Sequence, residues 1–293
     1  INDYRQMFNL SRDTVFAGIK ELKARGIISS APGVGYFVDN VRFNLQHNIF
    51  LLFNEMNSFK QKMYNAFVAG LDKDDQVDLQ FHNYNRRVFE TLLREANGKY
   101  TTYVLMPGKF QGLRPLLNEL NGRVFLIDHY HPELRGLYSG VGQNFENDTY
   151  EALVSGLPHL RKYKRIYMIQ SEAKEPYERF LGLQRFAQEN GFECKYMNGF
   201  TGRHINMGDL FLLVNDTDLV TVLKQAAKQH MTPGREFGII SYNDTTLKEI
   251  LAGGITTLST DFKKMGKTMA SLLKRKEVVN VDNPWSLKIR GSI

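Results

Sequence analysis

Residues 49–58 read Ile-Phe-Leu-Leu-Phe-Asn-Glu-Met-Asn-Ser, an apolar run followed at once by polar side chains. Five consecutive large apolar residues predict a strand that is covered on both faces, as the strands of parallel sheets are. The same pattern, an apolar run that ends in polar residues, recurs along the chain between segments with helical periodicity. This repetition predicts an α/β fold built on parallel sheets.

The alternation occupies two successive parts of the chain. In the first part, apolar runs alternate with helical patterns through residues 49–53, 60–71, 77–81, 86–96, 102–106, 113–120 and 124–127. In the second part, the alternation runs through residues 165–169, 177–190, 193–196, 210–214, 219–230 and 237–241. We therefore expect two doubly wound lobes in tandem, together spanning residues 48–293.

Composition narrows the class of protein. The 293 residues are 42% hydrophobic and 24% charged, and no apolar run approaches the roughly 18 residues that span a membrane. A single cysteine, Cys194, forms no internal disulfide, and residues 1–10 lack the pattern of a secretory signal. We expect a cytoplasmic protein without a membrane partner. The net charge of +7 is compatible with a polyanionic partner but does not require one.

The first forty residues have a pattern of their own. Val15, Ile19 and Leu22 form one apolar stripe of a helix over residues 11–25, with Ser11 as its N-cap and Gly26 as its stop. Two short strands, at residues 27–30 and 36–38, follow around a turn that contains Pro32, Gly33 and Gly35. A capped helix followed by a small hairpin is typical of a winged helix.

Three segments carry a resemblance: Ser11-Arg12-x-Thr14-Val15, then Leu22-x-x-x-Gly26-Ile27-Ile28, then Gly33-x-Gly35-Tyr36-Phe37-Val38. Their spacing is similar to that of the GntR-type transcription regulators. The resemblance implies a winged-helix DNA-binding domain over residues 1–40, with an earlier helix preceding Ile1. It also implies contacts to operator DNA from Ser11, Arg12, Thr14 and Gly35. Phe16 departs from the arginine common in that family. A capped helix and hairpin inside an ordinary α/β domain is the alternative.

Polar residues follow the predicted strands of the larger part. Open parallel sheets bind ligands beyond the carboxyl ends of their strands, so these residues are the candidate binding site. They are Asn54, Glu55, Asn57, Ser58, His82, Tyr84, Asp128, Asn215, Asp216, Asn243 and Asp244. Amides, carboxylates and an aromatic ring suit a polyhydroxylated ligand, because each hydroxyl both donates and accepts a hydrogen bond.

A second resemblance spans nearly everything after residue 47. It is carried by Arg179-x-x-Gly182, by the segments 166–169, 214–216, 238–245 and 256–262 with Gly266, and by 289–292. These are similar to the sensor domain of the lactose/galactose-repressor family, which has the periplasmic-binding-protein fold. The resemblance implies that Arg179, Asn243 and Phe262 line an effector cleft. Asn144 stands where that family often has an acidic residue, and Asn243 replaces its usual aspartate.

Several of these residues have structural interpretations that compete with binding. Asp216 and Asp244 suit helix caps or turns as well as a ligand, and Arg179 alone would suit an exposed helix face. The segment Asp128-His129-Tyr130-His131 has zinc-binding residue types, but no further ligands lie near it in sequence, so we predict no metal. The basic residues between Lys263 and Lys276 fit a solvated helix face, and the Asn-x-Thr triplets matter only in a secreted chain.

No standard catalytic motif appears, so the sequence predicts neither an enzyme nor a cofactor. The favoured hypothesis is a homodimeric transcription regulator, a repressor of sugar-utilisation genes, that binds operator DNA and a monosaccharide-type effector such as a pentose, hexose or deoxy-sugar, free or phosphorylated. One alternative is an exported sugar-binding protein of a transport system. Another is a cytosolic sugar-modifying enzyme that uses Glu55 or Asp128 as a general base.

Overall fold

A computed structural model describes residues 2–24, 28–31, 35–38, 47–129 and 131–293 of the chain. The protein forms two compact units, residues 1–46 and residues 47–293.

The first unit contains two helices followed by a hairpin. Helix α1 (Asn2–Phe8) was not expected from the sequence, whereas α2 (Arg12–Ala24) occupies the predicted helix. Strands β1 (Ile28–Ala31) and β2 (Gly35–Val38) pair antiparallel. The Ser11 hydroxyl accepts a hydrogen bond from the Thr14 backbone N–H at 3.1 Å, as its predicted capping role requires. The predicted stop at Gly26 and the turn residues 32–34 lie outside the described residues.

The apolar stripe predicted for α2 is only partly covered. Val15 is buried, Ile19 is half-buried and Leu22 is exposed. Phe16, where the GntR-type family commonly has an arginine, is also exposed. Burial in the described part of this unit therefore centres on Val15.

The second unit begins with the first lobe, called lobe 1. In chain order its elements are β3 (Asn48–Phe53), α3 (Ser58–Val68), β4 (Gln76–Phe81), α4 (Arg86–Ala96), β5 (Thr102–Leu105), α5 (Arg114–Asn118), β6 (Arg123–His129) and β7 (Ser139–Gln143). A 3₁₀ turn, Pro132–Leu134, lies between β6 and β7. Together with β13, described below, the strands form a wholly parallel sheet of order β13-β7-β6-β5-β3-β4.

Lobe 2 follows with the same alternation of strands and helices. Its elements are α6 (Phe145–Leu160), β8 (Arg165–Ile169), α7 (Glu178–Asn190), β9 (Glu193–Met197), β10 (Asp209–Leu213), α8 (Asp216–Lys228), β11 (Gly238–Tyr242), α9 (Thr246–Ile250), the 3₁₀ turn Leu251–Gly253 and β12 (Thr256–Thr260). The sheet order is β14-β12-β11-β10-β8-β9, and only β14 runs antiparallel to its neighbour.

The end of the chain returns to both lobes. Helix α10 (Phe262–Leu273) and strand β13 (Asn280–Asp282) belong to lobe 1, whereas β14 (Trp285–Lys288) joins the sheet of lobe 2. The chain therefore crosses between the lobes three times, near residues 144, 261 and 283. The predicted two-lobed α/β architecture is confirmed.

Alternating side chains of each central strand serve opposite faces of its sheet. In β3, Ile49, Leu51 and Phe53 pack with residues of α3 and α10, whereas Phe50 and Leu52 pack with residues of α4 and α5. Helices cover both faces, so a continuous apolar run such as residues 49–53 is fully buried.

Two glycines allow close helix contacts in the second unit. A Cβ placed on Gly266 of α10 would lie 2.2 Å from the Met63 carbonyl oxygen of α3, and one on Gly182 of α7 would lie 2.2 Å from the Glu146 carbonyl oxygen of α6. Both neighbouring atoms belong to helix backbone, which cannot yield as a flexible side chain does. Each lobe therefore depends on a missing side chain at one helix crossing.

Gly266→Ala should lower the free energy of unfolding of the second unit by about 1–3 kcal/mol, the usual cost of overpacking, because α3 and α10 must separate. Denaturant unfolding followed by circular dichroism measures the change. Gly18→Ala in α2 is the matched control, since no heavy atom lies within 4 Å of its added Cβ. Equal stability of the Gly266→Ala variant and the parent protein would contradict the packing argument.

Candidate functional site

A cavity of about 190 Å³ lies between the lobes, beyond the carboxyl ends of the parallel strands. Ten of the fourteen candidate residues named from the sequence line it: Asn54, Glu55, Asn57, Tyr84, Asp128, Arg179, Asn215, Asp216, Asn243 and Phe262. They come from loops and helix starts far apart in sequence, which the ends of the strands bring together. Their roles in binding stay predictions, but their common location is a property of the fold.

Lobe 1 contributes a buried lysine at the centre of its wall. Lys60 is 5% exposed, and its ammonium donates to the Asn54 side-chain oxygen and lies 3.5 Å from the Tyr84 hydroxyl. Asn57 caps α3 by accepting a hydrogen bond from the Lys60 backbone N–H at 3.0 Å. Glu55 completes the group, with a carboxylate oxygen 3.8 Å from the Lys60 ammonium.

Burial and neighbouring charge oppose each other in setting the pKa of Lys60 and act together on the pKa of Tyr84. Burial lowers the pKa of Lys60, while the carboxylates of Asp128, Glu55 and Glu175 oppose that shift. Burial also raises the pKa of Tyr84, and the Glu55 carboxylate adds to the rise. Tyr84 therefore keeps its proton and can donate one hydrogen bond.

Asp128 and a pair of aromatic rings complete the lobe 1 wall. One Asp128 oxygen accepts a hydrogen bond from the Gln143 amide at 2.6 Å, which orients the carboxylate. The Phe59 and Phe262 rings stack with centroids 5.1 Å apart and line the same cavity. Polar groups and an apolar surface thus face one ligand space.

Arg179 dominates the lobe 2 wall. Its side chain is buried, pairs with Glu175 at 2.6 Å, and lies over the Phe145 and Tyr242 rings at 4.3 and 4.9 Å from their centroids. Among the described residues, its Nε has no hydrogen-bond partner. The solvated-surface interpretation of Arg179 is therefore wrong, because the residue is held inside the cleft.

A second buried lysine supports lobe 2 from behind. Lys248, 2% exposed, donates to the backbone carbonyls of Tyr242 and Asn243 at 2.7 and 2.9 Å and pairs with Asp216 at 2.8 Å. Asn243 has a φ of 65°, in the left-handed region that most L-residues avoid and that asparagine tolerates. The Lys248 ammonium thus fixes two cavity-lining loops, those that begin α8 and α9.

Asp216 and Asp244, each of which could cap a helix or contact a ligand, lie in different environments. Asp216 lines the cavity, while Asn215 is the residue that caps α8. Asp244 pairs with Arg290 and Lys288 and lies outside the cavity lining. Burial alone would raise the pKa of Asp244, but hydrogen bonds from Arg290, Lys288 and Thr257 outweigh it and lower that pKa.

Four of the candidate residues lie outside the cavity lining: Asp244, Ser58, which begins α3, His82 and Asn144. His82 is buried, its Nε2 hydrogen-bonds the Met106 carbonyl at 3.0 Å, and burial lowers its pKa. Asn144 is exposed and caps α6 by accepting from the Asn147 backbone N–H at 3.2 Å. The structure therefore shows scaffold contacts for the His82 and Asn144 side chains.

Sequence reasoning missed most of the non-polar and basic lining residues. They are Phe59, Lys60, Gly108, Lys109, His129, Gln143, Phe145, Lys174, Glu175, Pro176, Val214 and Tyr242. A usable signal existed for Lys60, which shares the buried face of α3 with Met63 and Phe67 at helical spacing. A lysine on an apolar face predicts a buried ammonium.

Polar contacts join the lobes around the cavity. Lys174 of lobe 2 pairs with Glu55 of lobe 1 at 3.8 Å, and Lys109 of lobe 1 donates to the Glu172 backbone carbonyl of lobe 2. His129 Nε2 lies 3.6 Å from a Glu178 carboxylate oxygen, and the interaction with this imidazole lowers the pKa of Glu178 to about 2. Such half-exposed contacts are individually weak, so they favour closure without locking it.

Asp148, at the start of α6 beside the first crossing, has an unusual environment. One of its carboxylate oxygens is buried and has no hydrogen-bond partner among the described residues. Burial raises its pKa to about 7, and the nearby Asp282 charge adds to the effect. The folded protein thus holds a proton here that the unfolded chain releases.

This proton makes stability fall as pH rises from about 4 to about 7, because over that interval the folded state binds more protons than the unfolded state. Asp148→Asn should therefore raise the free energy of unfolding at about pH 8 by about 1–3 kcal/mol, and change it little at about pH 4. Denaturant titrations across this range measure the difference. Asp74→Asn, on an exposed turn, is the control. A gain independent of pH would contradict the assignment.

The predicted DNA-contact residues lie at two places in the first unit. Arg12 and Thr14 are exposed in the first turn of α2, next to the capping Ser11. Gly35 begins β2 with a φ of 126°, a conformation that favours glycine. In the basic stretch, Lys263, Lys264 and Lys267 are exposed on α10, in keeping with a solvated helix face.

The described ranges contain no group of three or more His, Cys, Asp or Glu side chains placed to hold a metal ion. His129 and His131 do approach each other, with ring centroids 4.6 Å apart. A search of the helices in those same ranges finds none with the length and apolarity needed to cross a membrane.

Comparison with known proteins places this architecture. A family model described as a periplasmic binding protein-like domain matches residues 159–286. No curated protein sequence matched the chain. The architecture is therefore that of the periplasmic-binding-protein-like proteins, with structural neighbours among LacI-family transcription regulators.

Three solved structures illustrate that likeness. A LacI family transcriptional regulator from Silicibacter pomeroyi has a TM-score of 0.69 and 16% identity, covering 84% of this chain and 98% of its own. A LacI family regulator from Enterococcus faecium with bound ribose has a TM-score of 0.66 and 14% identity, covering 84% and 98%. The complex of the transcriptional regulator CelR with cellobiose has a TM-score of 0.66 and 17% identity, covering 97% and 92%.

Proposed function

We propose that this protein is a GntR-type transcription regulator, a repressor of sugar-utilisation genes, whose residues 1–46 bind operator DNA and whose residues 47–293 bind a sugar-type effector. The observation that carries the proposal is the cavity between the lobes. It combines amide, hydroxyl and charged groups with the stacked rings of Phe59 and Phe262. Hydroxyls of a sugar need donors and acceptors together, and its C–H face needs an apolar surface.

The charges that line the cavity balance. Four cationic residues, Lys60, Lys109, Lys174 and Arg179, face four carboxylates, Glu55, Asp128, Glu175 and Asp216. A balanced cavity favours a neutral ligand, because an added net charge would lack a compensating partner in a partly desolvated site. Neutral pentoses, hexoses and deoxy-sugars are therefore favoured as the effector unit over their phosphates.

Ligand binding would be coupled to the relative position of the lobes. A sugar that touches Asp128 from lobe 1 and Arg179 from lobe 2 stabilises the arrangement in which both are within reach. Couplings of this kind are commonly about 1–3 kcal/mol, or about 5- to 150-fold in affinity. In a homodimer, such a change would alter how two α2 helices meet half-sites about 34 Å apart on DNA.

The contacts of the first unit support a DNA-binding role. Helix α2 presents the exposed Arg12 and Thr14 at its N-terminal end, and the hairpin of β1 and β2 follows it, which is the order of a recognition helix and a wing. Several structural neighbours carry names of transcription regulators. These features favour a regulator over an exported sugar-binding protein.

Isothermal titration of the full chain with pentoses, hexoses, deoxy-sugars and their phosphates tests the effector proposal. At least one neutral sugar should bind, and it should change the affinity for a duplex selected from a randomised DNA library. A panel without any binder would overturn the sugar-sensing proposal. A binder that leaves duplex affinity unchanged would overturn the regulatory coupling.

Arg12→Ala should weaken binding to the selected duplex by about tenfold, since one lost phosphate or base contact costs about 1–3 kcal/mol. Fluorescence anisotropy measures this change, and calorimetry should show unchanged sugar affinity. Arg94→Ala, which removes an exposed arginine of α4, is the matched control and should leave both affinities unchanged. Unaltered duplex binding by the Arg12→Ala variant would contradict the assignment of the recognition helix.

A further inference from the structure

A second cavity, of about 470 Å³, lies beside the first. Lobe 1 contributes His131 and Glu133, and lobe 2 contributes Tyr177 and Tyr196. The two cavities share Lys109, His129 and Glu175 in their walls. Both are therefore parts of one interlobe cleft, separated by side chains and not by a layer of the fold.

An aromatic surface forms the lobe 2 side of the second cavity. The Tyr177 and Tyr196 rings lie with centroids 5.6 Å apart, and Leu181 lines the cavity next to them. Tyr177 is 50% exposed, although a large aromatic side chain gains by being covered. A partly exposed aromatic pair in a cleft offers an apolar platform for the C–H face of a sugar ring.

The polar groups of this cavity are mostly hydrogen-bond acceptors. Its lining includes four carboxylates, Glu133, Glu172, Glu175 and Glu178, against a single lysine, Lys109. The Lys109 ammonium already donates to the Glu172 carbonyl. With the histidines neutral, the lining carries a formal charge of −3, which repels a phosphate and suits the hydroxyl donors of a neutral sugar.

The imidazole of His131 forms part of the lobe 1 wall of this cavity. The residue is 6% exposed, and its Nδ1 lies 3.6 Å from Glu133. Its Nε2 has no hydrogen-bond partner in the described part of the chain. Because Nε2 is itself buried, His131 shapes this wall, and the ligand is met by the aromatic pair and the carboxylates.

We propose that the second cavity receives a neutral second sugar unit, joined by a glycosidic bond to the unit held in the first cavity. The effector is then a disaccharide or a larger glycoside, and the aromatic pair of Tyr177 and Tyr196 reads its second unit. This inference rests on the proposed sugar-sensing function, because it extends the same binding site.

Isothermal titration of the full chain tests the proposal with four ligand sets: monosaccharides, their methyl glycosides, their phosphates, and neutral disaccharides built from them. At least one disaccharide should bind at least about tenfold more tightly than either of its component monosaccharides. The inference is overturned if a monosaccharide binds and no disaccharide binds more tightly, or if a phosphate is the tightest ligand. Those results leave the sugar-sensing function standing. If no ligand in any set binds, both the proposed sugar-sensing function and this inference are overturned.

Tyr177→Ala locates the second unit. The variant should lower affinity for the tight-binding disaccharide about tenfold and change affinity for the component monosaccharide less than twofold. Leu247→Ala truncates an exposed lobe 2 side chain outside both cavities and should change neither affinity. Thermal unfolding checks that the variants are folded.

Glu172→Gln, which keeps the shape of the wall, should weaken disaccharide binding without affecting binding of the monosaccharide. Unchanged disaccharide affinity in both cavity variants would overturn the placement.

Discussion

Three segments of the chain connect the two lobes of the second unit, and they constrain how the lobes can lie relative to each other. Hydrogen bonds tie these connecting segments to one another. The Asp261 N–H donates to the Pro284 carbonyl at 2.9 Å, the Asn283 N–H donates to the Gly142 carbonyl at 2.8 Å, and the Asn283 amide donates to the Thr260 hydroxyl at 2.6 Å. Because the connections are bundled at one edge of the cleft, the lobes can rotate about that edge but cannot separate. A ligand held between them therefore acts on both lobes together.

The two walls of the cleft are built differently. In lobe 1, Lys60 is surrounded by side chains, and burial and nearby carboxylates oppose each other in setting its pKa. In lobe 2, Arg179 rests between the rings of Phe145 and Tyr242. The first arrangement suits recognition through hydrogen bonds, since its groups are small and several. The second sets one planar cation in a fixed position.

The sequence predicted the fold better than the site, for local reasons. Continuous apolar runs such as residues 49–53 identify central parallel strands, but β7 contains two glycines and β13 has three residues, so neither has such a run. Helix α1 buries no apolar stripe that periodicity could detect. Polar residues that follow strands located much of the cavity, whereas Phe145 and Tyr242 become lining residues only through the lobe arrangement. Contacts between residues so far apart in sequence cannot be predicted from local sequence patterns.

The bracing of lobe 2 by Lys248 bears on how ligand preference could change in evolution or by design. The Lys248 ammonium donates to acceptors on two loops at once. A change that moves or removes one of these acceptors leaves a buried charge without a hydrogen-bond partner. Exchange of Asp216 would thus carry a penalty unrelated to ligand chemistry. At Asn243 the backbone carbonyl that Lys248 contacts is kept by any substitution, and the penalty there comes from its φ of 65°. In lobe 1 the buried Lys60 ammonium constrains Asn54 and Tyr84 in the same way, and Tyr84 has a φ of 58°. New specificities should accordingly arise more readily at lining residues that contact neither ammonium, such as Phe59, than at those beside Lys60 or Lys248.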